Sequence, residues 1–281
     1  MIDPEGAVSI RAAGRPPLTT GRFDGTMTGA MERHVTSTSV PFVPRAYSVA
    51  RYGWWGTPVI LFPTGGSDYL DNERFGLVGA LEPLIRAGRI KVYSVDAPNQ
   101  DVWTNHAVPP WHKSWVQAEY DRWLVDTLLP WIDHDCGGSG LPVVVAGASL
   151  GAYQAFNALT KHPEQVAAGI GMSGTYVLNR RMGTFRDDAY YYNQPVQFLP
   201  GLGESTQLHQ LRQRHFEFAL GSGPHESPDY TWWAASVLGA RGVPNHVDVW
   251  GEGSDHDWPT WRAMLPTLLE RVLPRVEGSA A

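Results

Sequence analysis

The sequence predicts an α/β fold: a mostly parallel central sheet, helices on both of its faces, and an inserted lid. Three observations carry that prediction. Short apolar runs rich in β-branched residues (PVILF at 58–62, KVYSV at 91–95, PVVVA at 142–146) have the pattern of strands buried on both sides. Between them lie longer stretches whose apolar residues recur at helical spacing. One stretch, Thr175 to Gln210, is rich in Tyr, Arg, Asn, Pro and Gly and is too long for an ordinary connection, so it reads as a cap over the strand ends.

Taken in order, the amino end is expected to be a loose tail over residues 1–30. Met1 to Gly25 lacks the apolar core of a secretory signal, which makes a cytoplasmic protein the expectation. Met31 to Ser39 and Arg45 to Arg51 read as antiparallel edge strands. The core strand Pro58 to Phe62 stops at the turn-forming Pro63-Thr64-Gly65-Gly66. Leu77, Val78, Leu81, Leu84 and Ile85 share a helical face, and Pro83 predicts a kink or a late helix start there. The strand Lys91 to Val95 ends at Asp96. From Ser114 a long amphipathic helix should turn Val116, Tyr120, Trp123, Leu124, Leu128 and Trp131 inward and end at Gly137-Gly138. Pro142 to Ala146 runs straight into Gly147-Ala148-Ser149-Leu150-Gly151, with a helix from Tyr153 to about Lys161. Val166 to Met172 is the next strand. Beyond the lid, at about 175–210, come a strand His215 to Leu220, a helix near Tyr230 to Ala240, a strand His246 to Trp250 and a helix Trp258 to Val272. Residues 31–281 are read as one domain.

Composition narrows the function. Hydrophobic residues make up 43% and charged residues 18% of 281, which excludes a disordered or fibrous chain. A net charge of −6 without long charged runs argues against nucleic acid as the main partner, because phosphate binding needs a basic face. No apolar run reaches the length of a membrane-spanning helix. The single cysteine, Cys136, cannot form an internal disulfide and is expected to be an unreactive thiol. Most of the twelve tryptophans should pack in the core or at its rim, leaving a few to line a substrate pocket.

The chemistry centres on Ser149. Gly147 to Gly151 fits G-x-S-x-G, a cheap pattern made specific by the β-branched strand before it and the helix after it. Such a turn lifts the serine hydroxyl clear of the sheet and sets the N–H of Leu150 at a helix amino end, where an oxyanion is favoured. A serine needs a base to take its proton. Of ten histidines, His256 lies in the loop after the last core strand and is the candidate. His106, His112 and His225 are placed in other loops, as possible substrate contacts. The acid that orients the imidazole should follow the strand His215 to Leu220. Glu226 is favoured there over Asp229, which is suited to capping the next helix. Gly65 or Gly66 is the candidate second oxyanion donor.

These motifs resemble the esterase D and antigen-85-like branch of the α/β-hydrolases, over roughly Met31 to Leu273. Phe62-Pro63-Thr64-Gly65-Gly66, Val95-Asp96, Gly147 to Gly151 and Asp248-Val249-Trp250-Gly251 carry the resemblance. Its most specific part is His256-Asp257-Trp258-Pro259-Thr260-Trp261. The resemblance implies that Ser149 attacks an ester carbonyl, that His256 relays the proton, and that a carboxylate after the strand His215 to Leu220 orients it. Many relatives carry His-Gly where this chain has Pro63-Thr64.

A cofactor-independent serine carboxylesterase acting on a small-molecule or polymeric ester is therefore the leading expectation, with no metal and no cofactor. Acyl transfer to an alcohol or sugar, with Tyr190, Tyr191 and Tyr192 of the lid excluding water, is the alternative. A non-catalytic binding protein on a hydrolase fold is the reading from a different class.

Overall fold

Buried on both sides, the apolar runs of this chain become the middle of one eight-stranded sheet. The computed structural model describes residues 31–138 and 140–277, so the tail expected at 1–30 lies outside the described residues. The strands are Arg33–Ser39 (β1), Ala46–Tyr52 (β2), Thr57–Phe62 (β3), Ile90–Val95 (β4), Val143–Ala148 (β5), Val166–Met172 (β6), His215–Leu220 (β7) and Asn245–Val249 (β8). Their order is β1-β2-β4-β3-β5-β6-β7-β8, with β1/β2 and β2/β4 antiparallel and every other pair parallel.

Successive residues of a strand point to opposite faces, and here each face has its own core. Ile60 and Phe62 of β3, Tyr93 and Val95 of β4, and Val143 and Val145 of β5 join one cluster. Val59, Leu61, Ile90, Val92, Val144 and Ala146 join the other. The second cluster is closed by the helix Trp258–Glu277, whose Trp261, Met264, Leu265, Leu268, Leu269, Val272 and Leu273 form one buried stripe. Helices Pro110–Trp123, Leu150–Lys161 and Pro228–Ala240 contribute to the first cluster. The two outer strands are polar, RHVTSTS in β1 and NHVDV in β8, which discourages edge-to-edge pairing.

Several boundaries differ from expectation for local reasons. The stretch around Leu77 to Ile85 is three short helices, Asp71–Arg74, Leu77–Ala80 and Glu82–Arg86. Pro83 sits in the first turn of the third, where its missing N–H costs nothing, so the predicted late start is what occurs. The long helix begins at Pro110, for the same reason, and passes through a π-turn at Leu124–Leu128 before continuing as Leu129–Asp135. His112 is therefore helical and not in a loop. The helix after the elbow starts at Leu150, directly behind Ser149.

The segment between β6 and β7 carries five short helical pieces, Asn179–Met182, Asp188–Tyr192, Pro195–Phe198, Leu199–Gly201 and Thr206–Leu211. It is tied to the body: Ser114 donates to Asp187 at 2.6 Å, Arg181 to the Trp103 carbonyl at 2.8 Å, and Tyr153 to the Asn193 carbonyl at 2.7 Å. Among the described residues no helix is long and apolar enough to cross a membrane.

Candidate active site

β5 ends at Ala148, and the chain reverses into a helix within one residue. Ser149 makes that turn at φ 54°, ψ −117°, backbone that an L-residue rarely adopts and that costs about 1–3 kcal/mol. The flanking glycines are required by space. A Cβ on Gly147 would stand 2.4 Å from the Gly151 carbonyl carbon, and one on Gly151 would stand 2.7 Å from the carbonyl oxygens of Phe62 and Pro63. The turn is pinned to β6: Ser149 N–H donates to the Met172 carbonyl at 2.9 Å, and Thr175 N–H donates to the Ser149 carbonyl at 3.0 Å. The serine is half-buried and its hydroxyl has no hydrogen-bond partner among the described residues. Leu150, buried, starts the helix, and its N–H has no protein acceptor among them either.

His256 follows β8, and Glu226 follows β7. The Glu226 carboxylate is 2% exposed, and its Oε2 lies 4.0 Å from His256 Nδ1, about an ångström beyond a hydrogen bond. The other oxygen is held firmly. Glu226 Oε1 accepts from the Ser173 hydroxyl at 2.6 Å and from the Gly221 N–H at 2.9 Å, and Ser173 in turn accepts from the Trp261 indole at 3.0 Å. Trp261 also packs edge-on against the His256 ring at 5.1 Å. Burial pulls the His256 pKa below the ordinary value of about 6.5, against the opposing pull of Glu226. The lowered pKa favours the neutral imidazole, the form that accepts a proton.

Asp229 plays a different part from the one expected. The helix Pro228–Ala240 is preceded by Ser227 without a side-chain cap, and Asp229 lies exposed in its first turn. It is not a cap, although a carboxylate in that turn still complements the helix dipole. His225 is exposed and paired with Asp255 at 2.7 Å, which raises its pKa. Asp255 also accepts from the His256 N–H at 2.8 Å, fixing the backbone of the histidine loop.

The loop after β3 has a scaffold of its own. Asp71 accepts from the Thr64 N–H and hydroxyl at 2.9 and 2.7 Å and from the Ser67 hydroxyl at 2.6 Å. Asn99 donates to the Pro63 carbonyl at 2.7 Å and accepts from Gln154 at 3.0 Å. Gln154 pairs with Gln117, and Gln117 accepts from the Trp103 indole at 2.8 Å. This buried amide chain links the elbow helix to the glycine turn at Gly65 and Gly66. Neither glycine N–H is committed to a protein acceptor among the described residues. Gly66 has φ +73°, and a Cβ on Gly65 would meet Thr104 at 3.1 Å.

A cavity of about 570 Å³ opens beside His256 and Ser173. His256 lines it with Ser173, Thr175, Lys113, Arg181 and Tyr230, and His106 stands at the same wall. Of the three tyrosines in the helix Asp188–Tyr192, Tyr190 is buried and donates to Asn179 at 2.7 Å, whereas Tyr191 and Tyr192 face solvent. None of the three lines this cavity. Cys136 lies 3.3 Å from the Tyr93 hydroxyl, and burial pushes its thiol pKa up, which disfavours the thiolate.

Sequence reasoning passed over Ser173, Asn99, Gln117, Gln154 and Lys113. The signals were faint. Ser173 is a small polar residue directly after a core strand, and Gln117 and Gln154 are amides on otherwise apolar helix faces.

A parallel sheet with antiparallel strands at one end, helices on both faces and a strained strand-to-helix serine defines the α/β-hydrolase fold. The chain belongs to the family described as "Putative esterase", whose profile matches residues 56–272. A search of curated proteins returned no match. Solved structures give the fold. A ferulic acid esterase aligns with a TM-score of 0.65 at 16% identity, over 87% of this chain and 98% of its own. The S-formylglutathione hydrolase of Agrobacterium tumefaciens aligns at 0.66 and 13%, over 89% and 98%. The fluorophosphonate-binding serine hydrolase F of Staphylococcus aureus aligns at 0.58 and 12%, over 87% and 99%. Family membership supports hydrolysis of carboxylic esters.

Proposed function

We propose that the chain is a serine carboxylesterase that works through an acyl-enzyme on Ser149. The Ser149 hydroxyl attacks the ester carbonyl carbon while His256 takes its proton. The N–H of Leu150 and that of Gly65 or Gly66 hold the oxygen as it becomes negative. The bond to the alcohol then breaks, with the proton passing from His256 to the leaving oxygen. Water, deprotonated by the same imidazole, attacks the acyl-enzyme and releases the acid and Ser149. Glu226 orients the ring and stabilises its transient positive charge. The 4.0 Å approach of Glu226 to His256 is compatible with this, because catalytic hydrogen bonds are often long without substrate.

The observation that carries the proposal is the Ser149 elbow as a whole: left-handed backbone between two tightly packed glycines, a hydroxyl without a hydrogen-bond partner among the described residues, and a helix amino end directly behind it. Strain of this kind persists where the surroundings over-determine it, and it concentrates at reactive residues. The test is covalent labelling. A fluorophosphonate should react with the native chain at Ser149, and Ser149→Ala should neither label nor turn over p-nitrophenyl butyrate. A folded Ser149→Ala protein with full turnover would overturn the proposal.

A further inference from the structure

The cavity beside His256 is positively charged in a way that ester hydrolysis does not require. Lys113 lines it, is 4% exposed, and has no carboxylate or hydrogen-bond partner for its ammonium group among the described residues. It sits in the first turn of the helix Pro110–Trp123, the positive end of the helix dipole, where a cation is disfavoured. Arg181, half-buried on the lid, lines the same cavity. Among the described residues its side chain makes one hydrogen bond, to the Trp103 carbonyl, and it repels Lys113. Arg180 stands at the rim, and among the described residues no Asp or Glu lines the cavity. Two desolvated like charges without a counter-ion are costly to fold around. A ligand anion at that place would remove the cost.

Resting on the esterase reading, we propose that this cavity is a subsite for a carboxylate carried by the substrate, held by Lys113 and Arg181 close to the reacting ester. The carboxylate could belong to the acyl portion or to the leaving alcohol, and matched esters separate the two. One pair is mono-p-nitrophenyl glutarate against p-nitrophenyl pentanoate. The other is the butyrate ester of 3-hydroxybenzoate against that of 3-hydroxybenzamide. With the native protein, kcat/KM should favour the charged member of one pair by about tenfold to a hundredfold, the range expected of a charge-assisted hydrogen bond. Lys113→Met and Arg181→Gln should each bring that ratio towards one, and Lys113→Arg should keep most of it. Glutarate should inhibit the native protein competitively and inhibit Lys113→Met at least about tenfold more weakly.

Equal kcat/KM within both pairs for the native protein, with fluorophosphonate labelling intact, would overturn the subsite and leave the esterase reading standing. A charge preference that survives both neutral substitutions would also overturn it. Absence of labelling and of all turnover would instead count against the esterase reading on which the subsite rests.

Discussion

Two serines of this chain sit at the carboxyl ends of neighbouring parallel strands, and both have the left-handed backbone that serine rarely adopts. Ser149, after β5, has φ 54°, and Ser173, after β6, has φ 48°. Their hydroxyls differ. Ser149 is half-buried with no hydrogen-bond partner among the described residues, at the start of a twelve-residue helix. Ser173 is buried, donates to Glu226 at 2.6 Å and accepts from the Trp261 indole at 3.0 Å. Backbone strain alone therefore does not mark a nucleophile. What separates the two positions is whether the hydroxyl is already committed, and whether a helix amino end stands behind it to receive negative charge.

The largest expected difference between them is catalytic. Ser149→Ala should lower kcat on p-nitrophenyl butyrate by about 10⁴–10⁶-fold, the scale of losing the nucleophile of a triad. Ser173→Ala should leave fluorophosphonate labelling at Ser149 in place. If labelling followed Ser173 instead, the assignment of the two serines would be reversed.

Glu226 gives the next largest effect, because it is the group that Ser173 holds. Glu226→Gln keeps the size of the side chain and removes the charge. The imidazole then loses the interaction that fixes its tautomer and stabilises its cation, and kcat should fall by about 10²–10⁴-fold. The pH profile supplies a second readout with a defined sign. In the native protein, burial lowers the His256 pKa and Glu226 raises it, with burial the larger influence. The acid limb of kcat/KM should therefore lie below about 6.5, with activity gained as pH rises and level by neutrality. Without the Glu226 charge the limb should move to still lower pH. A limb that stays in place, or moves up, would show that the titrating base is not this histidine.

How far the sequence discloses such a site depends on whether the relevant signal is local. The sharp turn at Ser149 is legible because the strand, the two glycines and the helix that make it are adjacent in the chain. The place of His256 in the loop after the last strand is legible from chain order. The sheet reads well for the same reason: burial on both faces leaves unbroken apolar runs such as PVILF and PVVVA. Helix boundaries read less well around Pro83 and Pro110, because a proline that would break a helix interior is harmless in its first turn. The buried polar contacts were not legible at all. Gln117 and Gln154 pair across 37 residues, and Ser173 meets Glu226 across 53. Nothing in a single sequence brings such partners together. The segment between β6 and β7 was visible as an irregular stretch, but its five short helical pieces were not, as each is too short to show a period.

The smallest expected effect comes from removing the Ser173 hydroxyl, and it sharpens the comparison most. Ser173→Ala deletes one of the two donors to Glu226 Oε1 and the acceptor of the Trp261 N–H, while the Gly221 N–H still holds the carboxylate. Two buried polar groups lose a partner, so stability should fall by about 1–3 kcal/mol, measured by urea denaturation. Glu226 should still face His256, with less restraint on its angle, and kcat should fall by about tenfold with KM little changed. A merely structural serine would lower stability without touching kcat once the protein is folded. The same substitution should leave the acid limb of the pH profile below about 6.5, because burial, the main cause of the low His256 pKa, remains. A drop in kcat as deep as that of Ser149→Ala would instead mean that the Ser173 hydroxyl takes part in the chemistry itself.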